Sequence, residues 1–448
     1  MSRPLRFGLW LTAIALVLGI AGRQLQIESD SRVTGDLGPW LQQRADHQIA
    51  IQWHSAEARR GTVELEPAAG GEALHLAETS SGTGHRIVTS GLPPRSHWRY
   101  RLDGGATPAG AFFTPPAKGD PAPLRLWVLG DAGVDSPLAR KVRAAAQRWF
   151  AGRPAAGRPI IDLLLTTGDN AYPSGRFSDF RDAVFTPLAA VLAATPYWPV
   201  PGNHDLRRRA FFRLFEFPAN GEAGGVPSGG EAYYAFDYGP LHVVVLDSES
   251  SLGRWERRKM RDWLARDLAA DRQRWTIVVF HHPPYSRGHH DSDRAGGRDW
   301  RMQVMRETFL PVIDDSGVDL VLAGHSHVYE RSHLLAGHYG TSETLAPAMI
   351  VQRGQGPGDR FERAPHCQTR CGVVYVVLGN SAKVDGGPLD HPAMAAVSAR
   401  GGSLAIEIEA ACLNAYLIGE DGAIDDRFTL VKHSNGTDGT CQPGPPGT

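Results

Sequence analysis

Five short apolar runs in this 448-residue chain each stop at a small cluster of potential metal ligands. Residues 124–129 are followed by Gly130-Asp131-Ala132-Gly133, and residues 161–165 lead to Gly168-Asp169-Asn170-Ala171-Tyr172. Val200 leads into Gly202-Asn203-His204-Asp205, residues 276–280 into His281-His282, and residues 318–322 into Gly324-His325-Ser326-His327. Continuous apolar runs suit strands covered on both faces. Open α/β sheets gather ligands just past the C-terminal ends of their strands. Glycine at those ends lets the strand turn sharply while backbone passes close to an ion. Taken singly, each cluster could be a turn, a helix cap or a surface loop. Five in succession, each after an apolar run, point instead to a two-metal site.

Helix-like stretches at 138–150, 177–193, 254–270 and 300–314 separate the runs, so the segment from 124 to 432 reads as α/β with helices outside the sheets. In the third stretch Met260, Trp263, Leu264 and Leu268 recur at helical spacing and read as core. The chain is too long for one ordinary core. Its earlier part, 45–117, has another rhythm: Ile49-Ala50-Ile51-Gln52-Trp53, Thr62-Val63-Glu64-Leu65 and His97-Trp98-Arg99-Tyr100-Arg101-Leu102 are short strand-like pieces between Gly/Pro/Ser clusters. That pattern predicts a small β-sandwich. Residues 23–44 and 117–123 read as linkers, and 433–448 as a disordered tail. In the tail, Asn435-Gly436-Thr437 fits a glycosylation acceptor, a pattern that polar tails also produce by chance. The segments 283–299 and 338–372 are expected to be loops that shape the pocket.

Arg3 and Arg6 precede an uncharged apolar stretch, 7–22, which suits an export signal or, if uncleaved, a membrane anchor. Export would allow the four cysteines to form two disulfides. Three pairings are possible; proximity favours Cys367–Cys371 and Cys412–Cys441. A zinc site at Cys367 and Cys371 is the alternative, with His366 the one further ligand nearby. A net charge of −1 gives no electrostatic ground for nucleic acid or an anionic membrane as partner. Membrane contact is expected only through the N-terminal stretch.

The order Gly-Asp-x-Gly, Gly-Asp-x-x-Tyr, Gly-Asn-His-Asp, Val-x-x-His (Val278 to His281), Gly-His-x-His resembles the purple acid phosphatase branch of the calcineurin-like metallophosphoesterases. Val328-Tyr329-Glu330-Arg331 and the stretch Val374 to Asn380 fit as well, and the likeness covers roughly 124–430. It implies a four-layer α/β/β/α metallophosphoesterase sandwich preceded by a fibronectin III-like domain. It also implies one metal held by Asp131, Asp169, Tyr172 and His327, and a second by Asp169, Asn203, His281 and His325, with Asp169 bridging. Gly133 stands where many relatives carry histidine, so a Tyr172 phenolate would supply the missing donor. Two carboxylates, a phenolate and a hydroxide leave one net positive charge if a trivalent and a divalent ion are bound, and none if both are divalent. Hard oxygen donors then favour Fe(III) beside Tyr172, with Zn, Fe(II) or Mn at the other position.

The implied activity is hydrolysis of phosphate monoesters by a metal-bound hydroxide. His204, beside Asn203, is expected to protonate the leaving alcohol. His289 and His290 resemble substrate-facing histidines, although a plain surface loop would place them equally well. His282 receives no role, and Arg207, Arg208 and Arg209 read as a solvated helix face. Asp205 replaces the Glu common in relatives and lies outside the expected ligands. Two other readings stand beside the monoesterase. One is a phosphodiesterase or nucleotide pyrophosphatase using the same site. The other is a surface binding protein with an idle site.

Overall fold

The computed structural model describes residues 33–432 apart from 108, 155–156, 208, 250–252, 271–272, 295, 297–298, 364–366 and 368, together with residues 26, 28–30 and Cys441. The N-terminal apolar stretch and Asn435 lie outside the described residues. No helix among the described residues is long and apolar enough to cross a membrane.

The first seven strands are β1 (Leu37–Ala45), β2 (Gln48–Arg59), β3 (Thr62–Pro67), β4 (Leu74–Ala77), β5 (Gly82–Val88), β6 (His97–Leu102) and β7 (Gly110–Phe113). They form two antiparallel sheets, in the orders β1-β2-β5 and β4-β3-β6-β7. Alternation along the strands sends Ile49, Ile51 and Trp53 from one sheet, and Val63, Leu65, Trp98 and Tyr100 from the other, into one core. The sandwich begins earlier than the sequence predicts: part of the supposed linker 23–44 is β1. Its Leu41 packs in the sandwich core, whereas Leu37 and Trp40 join the core of the following α/β unit. A linker reading fails there because Leu37, Trp40 and Leu41 are spread over an irregular strand whose register shifts between Leu37 and Trp40, which hides the alternation.

The α/β unit contains β8 (Leu124–Leu129), β9 (Leu163–Thr166), β10 (Tyr197–Trp198), β11 (Tyr234–Tyr238), β12 (Leu241–Val245), β13 (Trp275–Val279) and β14 (Leu320–Ala323). The later strands are β15 (Tyr329–Ser332), β16 (Leu334–Leu335), β17 (Ile350–Gln352), β18 (Asp359–Arg363), β19 (Val374–Leu378), β20 (Met394–Ser398), β21 (Gly402–Glu409), β22 (Cys412–Gly419) and β23 (Ile424–Lys432). Two seven-stranded sheets result, β10-β9-β8-β21-β22-β23-β18 and β11-β12-β13-β14-β19-β15-β20. The long helices are α1 (Pro137–Ala151), α2 (Arg254–Ala269) and α3 (Trp300–Asp314). In the second sheet Val243, Ile277 and Leu320 face the core shared with the first sheet, while Val244, Val278 and Val321 pack under α2 and α3. Both faces are covered, which is why these strands read as unbroken apolar runs. Arg331 of β15 joins the sheets, with Nε donating to Asp426 of β23 at 2.7 Å and Nη1 to Asp359 of β18 at 2.9 Å.

Two further expectations change. The stretch 177–193 is not one helix but a broken series, Phe177–Phe180, a π-turn at Arg181–Phe185 and Ala189–Leu192. Pro187 lacks the N–H that a continuous helix needs. The stretch 338–372 is not simply loop: β18 within it extends the first sheet beside β23. Disulfides join Cys367 to Cys371 and Cys412 to Cys441, so neither thiol of the first pair is available to zinc.

His242 of β12 lies between Asp237 at 2.7 Å and Asp267 at 2.9 Å. Burial disfavours its charge, but the two carboxylates outweigh burial and lift its pKa to about 9. Because an imidazole titrates near about 6.5 when unfolded, its stabilising contribution is complete below that pH and fades as pH rises through the folded value. Chemical denaturation is expected to show roughly 3 kcal/mol of stability from this group lost between about pH 6 and about pH 10. His242→Gln should flatten that dependence; an unchanged pH profile would locate the effect elsewhere.

Candidate metal centre

The five ligand-bearing turns meet at the C-terminal edges of the two sheets. Asp131 follows β8, Asp169 follows β9 and Asn203 follows β10, three strands paired in parallel. His281 follows β13, and His325 and His327 follow β14, a parallel pair in the second sheet. Asp131 and Asp169 have φ of 52° and His325 has 68°, left-handed conformations costing about 1–3 kcal/mol each for residues with a side chain. Gly202 and Gly324 make the crowding possible. A Cβ at Gly202 would sit within 2.4 Å of an Asp169 carboxylate oxygen, and one at Gly324 within 2.4 Å of Asp131 Oδ2.

Tyr172 Oη is 3.1 Å from both Asp131 Oδ1 and His327 Nε2. His281 Nε2 is 3.1 Å from Asn203 Oδ1 and 3.5 Å from Asp169 Oδ1. Ligand atoms of Asp131, Asp169 and His281 all lie within 4.8 Å of one another. The donors therefore fall into two adjoining sets. Backbone reinforces them: the His325 N–H donates to Asp131 Oδ2 at 2.9 Å and the His204 N–H to Asp169 Oδ1 at 2.8 Å.

These residues suit a pair of cations. His281 Nδ1 donates to the Thr167 carbonyl at 2.9 Å, and His327 Nδ1 meets the Asp385 carboxylate. Both contacts hold a proton on Nδ1 and turn Nε2 inward, where a bound cation would take the place of any second proton, the arrangement of metal-binding histidine. His325 Nε2 is buried with no hydrogen-bond partner among the described residues. Burial and the surrounding imidazoles, His282 first among them, push its pKa far down, so it is neutral. Burial, then Asp131 and Asp169, push the Tyr172 phenol well above its ordinary value, so it ionises only if cations offset those carboxylates. For His327, burial opposes charge but Asp131 and Asp385 prevail and raise its pKa to about 9. Lys383 Nζ lies 3.3 Å above the Tyr172 ring.

A cavity of about 640 Å³ opens over the donors, lined by Asp169, Asn203, His204, Glu249, His282, His290, Arg301, His325 and His327. His204 Nδ1 donates to the Pro173 carbonyl at 2.6 Å. Its Nε2 lies 3.9 Å from Asp169 Oδ2. His290 stacks on His325 at 3.8 Å and its Nδ1 is 2.6 Å from Asp299 Oδ1. These two residues and His325 also bring ligand atoms within 4.8 Å of one another. His289 is exposed, with its ring 6.4 Å from that of His327. Arg209 faces Glu28 at 4.0 Å and is not among the described residues that line the cavity. Among the described residues the segment 338–372 contributes no lining residue, whereas 283–299 supplies His290.

Sequence reasoning passed over Glu249, Arg301, Asp299, Asp385 and the bonding of Asp205. The first four come from loops or helix starts without a motif. Asp299 caps α3 in sequence position but makes no side-chain cap bond, because its carboxylate holds His290. Asp205 is buried and accepts from the N–H groups of Asn170, Ala171 and Gly202 and from Asn170 Nδ2, at 2.8–3.0 Å. It thus ties the turn after β9 to the turn after β10. The signal was available in the aspartate's place within Gly-Asn-His-Asp. Asp205→Asn turns an amide NH₂ toward those donors and is expected to cost about 1–3 kcal/mol, read by thermal unfolding. A neutral result would show that the two turns do not depend on it.

Residues 124–329 match the family model described as calcineurin-like phosphoesterase. The chain is 25% identical over 316 residues to probable purple acid phosphatase 20 of Arabidopsis thaliana, covering 68% of this chain and 62% of that one. It is 30% identical over 267 residues to acid phosphatase type 7 of Mus musculus, covering 55% and 56%. The chain thus spans about six-tenths of the length of these curated relatives. Among solved structures, purple acid phosphatase PPD1 from Lupinus luteus superposes with a TM-score of 0.65 at 17% identity, over 91% of this chain and 78% of that one. PhoD superposes at 0.60 with 12% identity, over 86% and 87%. The fold is therefore the α/β metallophosphoesterase fold, and within it residues 124–329 form a calcineurin-like phosphoesterase segment similar to those of purple acid phosphatases.

Proposed function

We propose that the protein is a phosphoric ester hydrolase that cleaves phosphate monoesters at a pair of cations. The convergence of seven donor side chains from five strand ends carries this reading. Asp131, Asp169, Tyr172 and His327 would hold one ion and Asp169, Asn203, His281 and His325 the other, with Asp169 shared. The oxygen-rich first set suits Fe(III), and the second suits Zn, Fe(II) or Mn. Bound there, the ions would supply an acidified water and neutralise charge on the phosphoryl oxygens.

The chain's own groups do the rest. Thr167 and Asp385 fix the tautomers of His281 and His327. Pro173 anchors His204 through Nδ1, so a proton on Nε2 can pass to the departing alkoxide. His290, steadied by Asp299, faces the cavity beside His325 and can donate to a phosphoryl oxygen. His289 stands farther out and would reach only a bound ester.

The N-terminal unit, residues 37–117, is read as a fibronectin III-like domain, supported by its three-plus-four antiparallel strand order. The metallophosphoesterase domain would occupy 124–432. Two disulfides support an exported protein.

Asp169→Asn is expected to abolish release of nitrophenol from nitrophenyl phosphate and to lower the metal content measured on the purified protein. Full activity in that variant would reject the shared-ligand role. Tyr172→Phe should remove visible absorption arising from a phenolate–Fe(III) pair, and retention of the band would assign the colour to another group. His204→Ala should slow hydrolysis of alkyl phosphates by about 10²–10⁴-fold. Nitrophenyl phosphate, whose leaving group needs little protonation, should lose far less. Equal losses on both esters would exclude His204 as the proton donor.

A further inference from the structure

Part of the cavity wall is built from groups that hold no expected metal ligand role. His282 lies against the donors, its ring 4.2 Å from that of His325. Its Nδ1 is 2.8 Å from Ser248 Oγ and its Nε2 is 3.3 Å from Glu249 Oε1. Glu249 Oε1 is in turn 3.5 Å from Nε of Arg301, at the start of α3. Arg301 is the one arginine among the residues lining the cavity.

The geometry of Arg301 leaves part of its guanidinium uncommitted. Glu249 approaches Nε, and the group stacks with its central carbon 5.1 Å from the Trp300 ring. The 3.5 Å approach to Glu249 is an ion pair and not a hydrogen bond, since Nε and Glu249 Oε1 are both buried without a hydrogen-bond partner among the described residues, and the arginine side chain is partly open to the cavity. A guanidinium held on one edge by a carboxylate can still clasp an oxyanion through its outer fork. Glu249 and Trp300 therefore act as positioning groups for a cation that faces the ligand space. The space exceeds what one phosphate group fills and is in the range of sites that enclose a whole small ligand.

We propose that Arg301 is a specificity-determining residue that binds a second oxyanion, a carboxylate or phosphoryl group, carried by the leaving group of the substrate. The preferred substrates are then phosphate esters of alcohols that bear an acidic tail. This inference rests on the hydrolytic reading above, because it takes the first phosphoryl group to sit at the cluster of donors.

The test uses the metal-loaded full chain and phosphonates, whose carbon–phosphorus bond the reaction leaves intact. Calorimetry compares 3-phosphonopropionate, 3-hydroxypropylphosphonate and propane-1,3-diphosphonate. At least one acid-tailed ligand is expected to bind about tenfold or more tightly than the alcohol, from a charge-assisted bidentate contact. Which one does so identifies the tail as carboxylate or phosphoryl. Arg301→Met should erase the preference and Arg301→Lys should retain part of it. Equal affinities in the unaltered protein, or a preference that survives Arg301→Met, would overturn the proposal. Turnover of nitrophenyl phosphate is measured on the same preparations. Absence of turnover in the unaltered protein defeats the hydrolytic reading and removes the premise of the proposal; turnover without a tail preference defeats the Arg301 inference alone.

Discussion

Asp131 and Asp169 are buried side by side, and the surrounding structure is organised by the need to keep two carboxylates there. Each is 2% exposed or less, and each occupies a left-handed backbone conformation at the end of a parallel strand. Water cannot stabilise them, so their charge must be answered by peptide N–H groups, imidazoles and cations. The two N–H donations, from His204 and His325, come from the turns of other motifs. Each carboxylate is therefore held by the loop that carries another donor. The motifs stabilise one another through backbone as well as through any shared ion.

A second layer gives each donor its orientation. Thr167, Pro173 and Asp385 settle which nitrogen of three histidines carries the proton, and Asp205 holds two turns at a fixed separation. Such groups use carbonyl and carboxylate oxygens already present near strand ends. They add little apolar area but fix geometry within a strained region.

Much of this was legible in the sequence because strands buried on both faces announce themselves as apolar runs and their ends are marked by glycine. Asp131, Asp169, Asn203, His281 and His325 follow such ends directly. Tyr172 and His327 needed the spacing from Asp169 and His325. Glu249 and Arg301 were invisible because nothing local sets them apart: each belongs to a polar stretch among other charged residues, and only folding brings them to one wall. The break in 177–193 was signalled by Pro187, yet the apolar spacing on either side concealed it. Likewise β1 escaped notice because its inward residues serve two different cores.

That double service of β1 ties the two units together. Leu41 belongs to the sandwich interior, while Trp40 is packed edge-on against Phe185 at 5.0 Å. Tyr100 of the sandwich also donates to the Ala193 carbonyl, and Gln43 to that of Asp237. A protease cutting between 117 and 123 would sever the chain without freeing the N-terminal piece. The fragments should stay clasped through the core that β1 shares with the α/β unit.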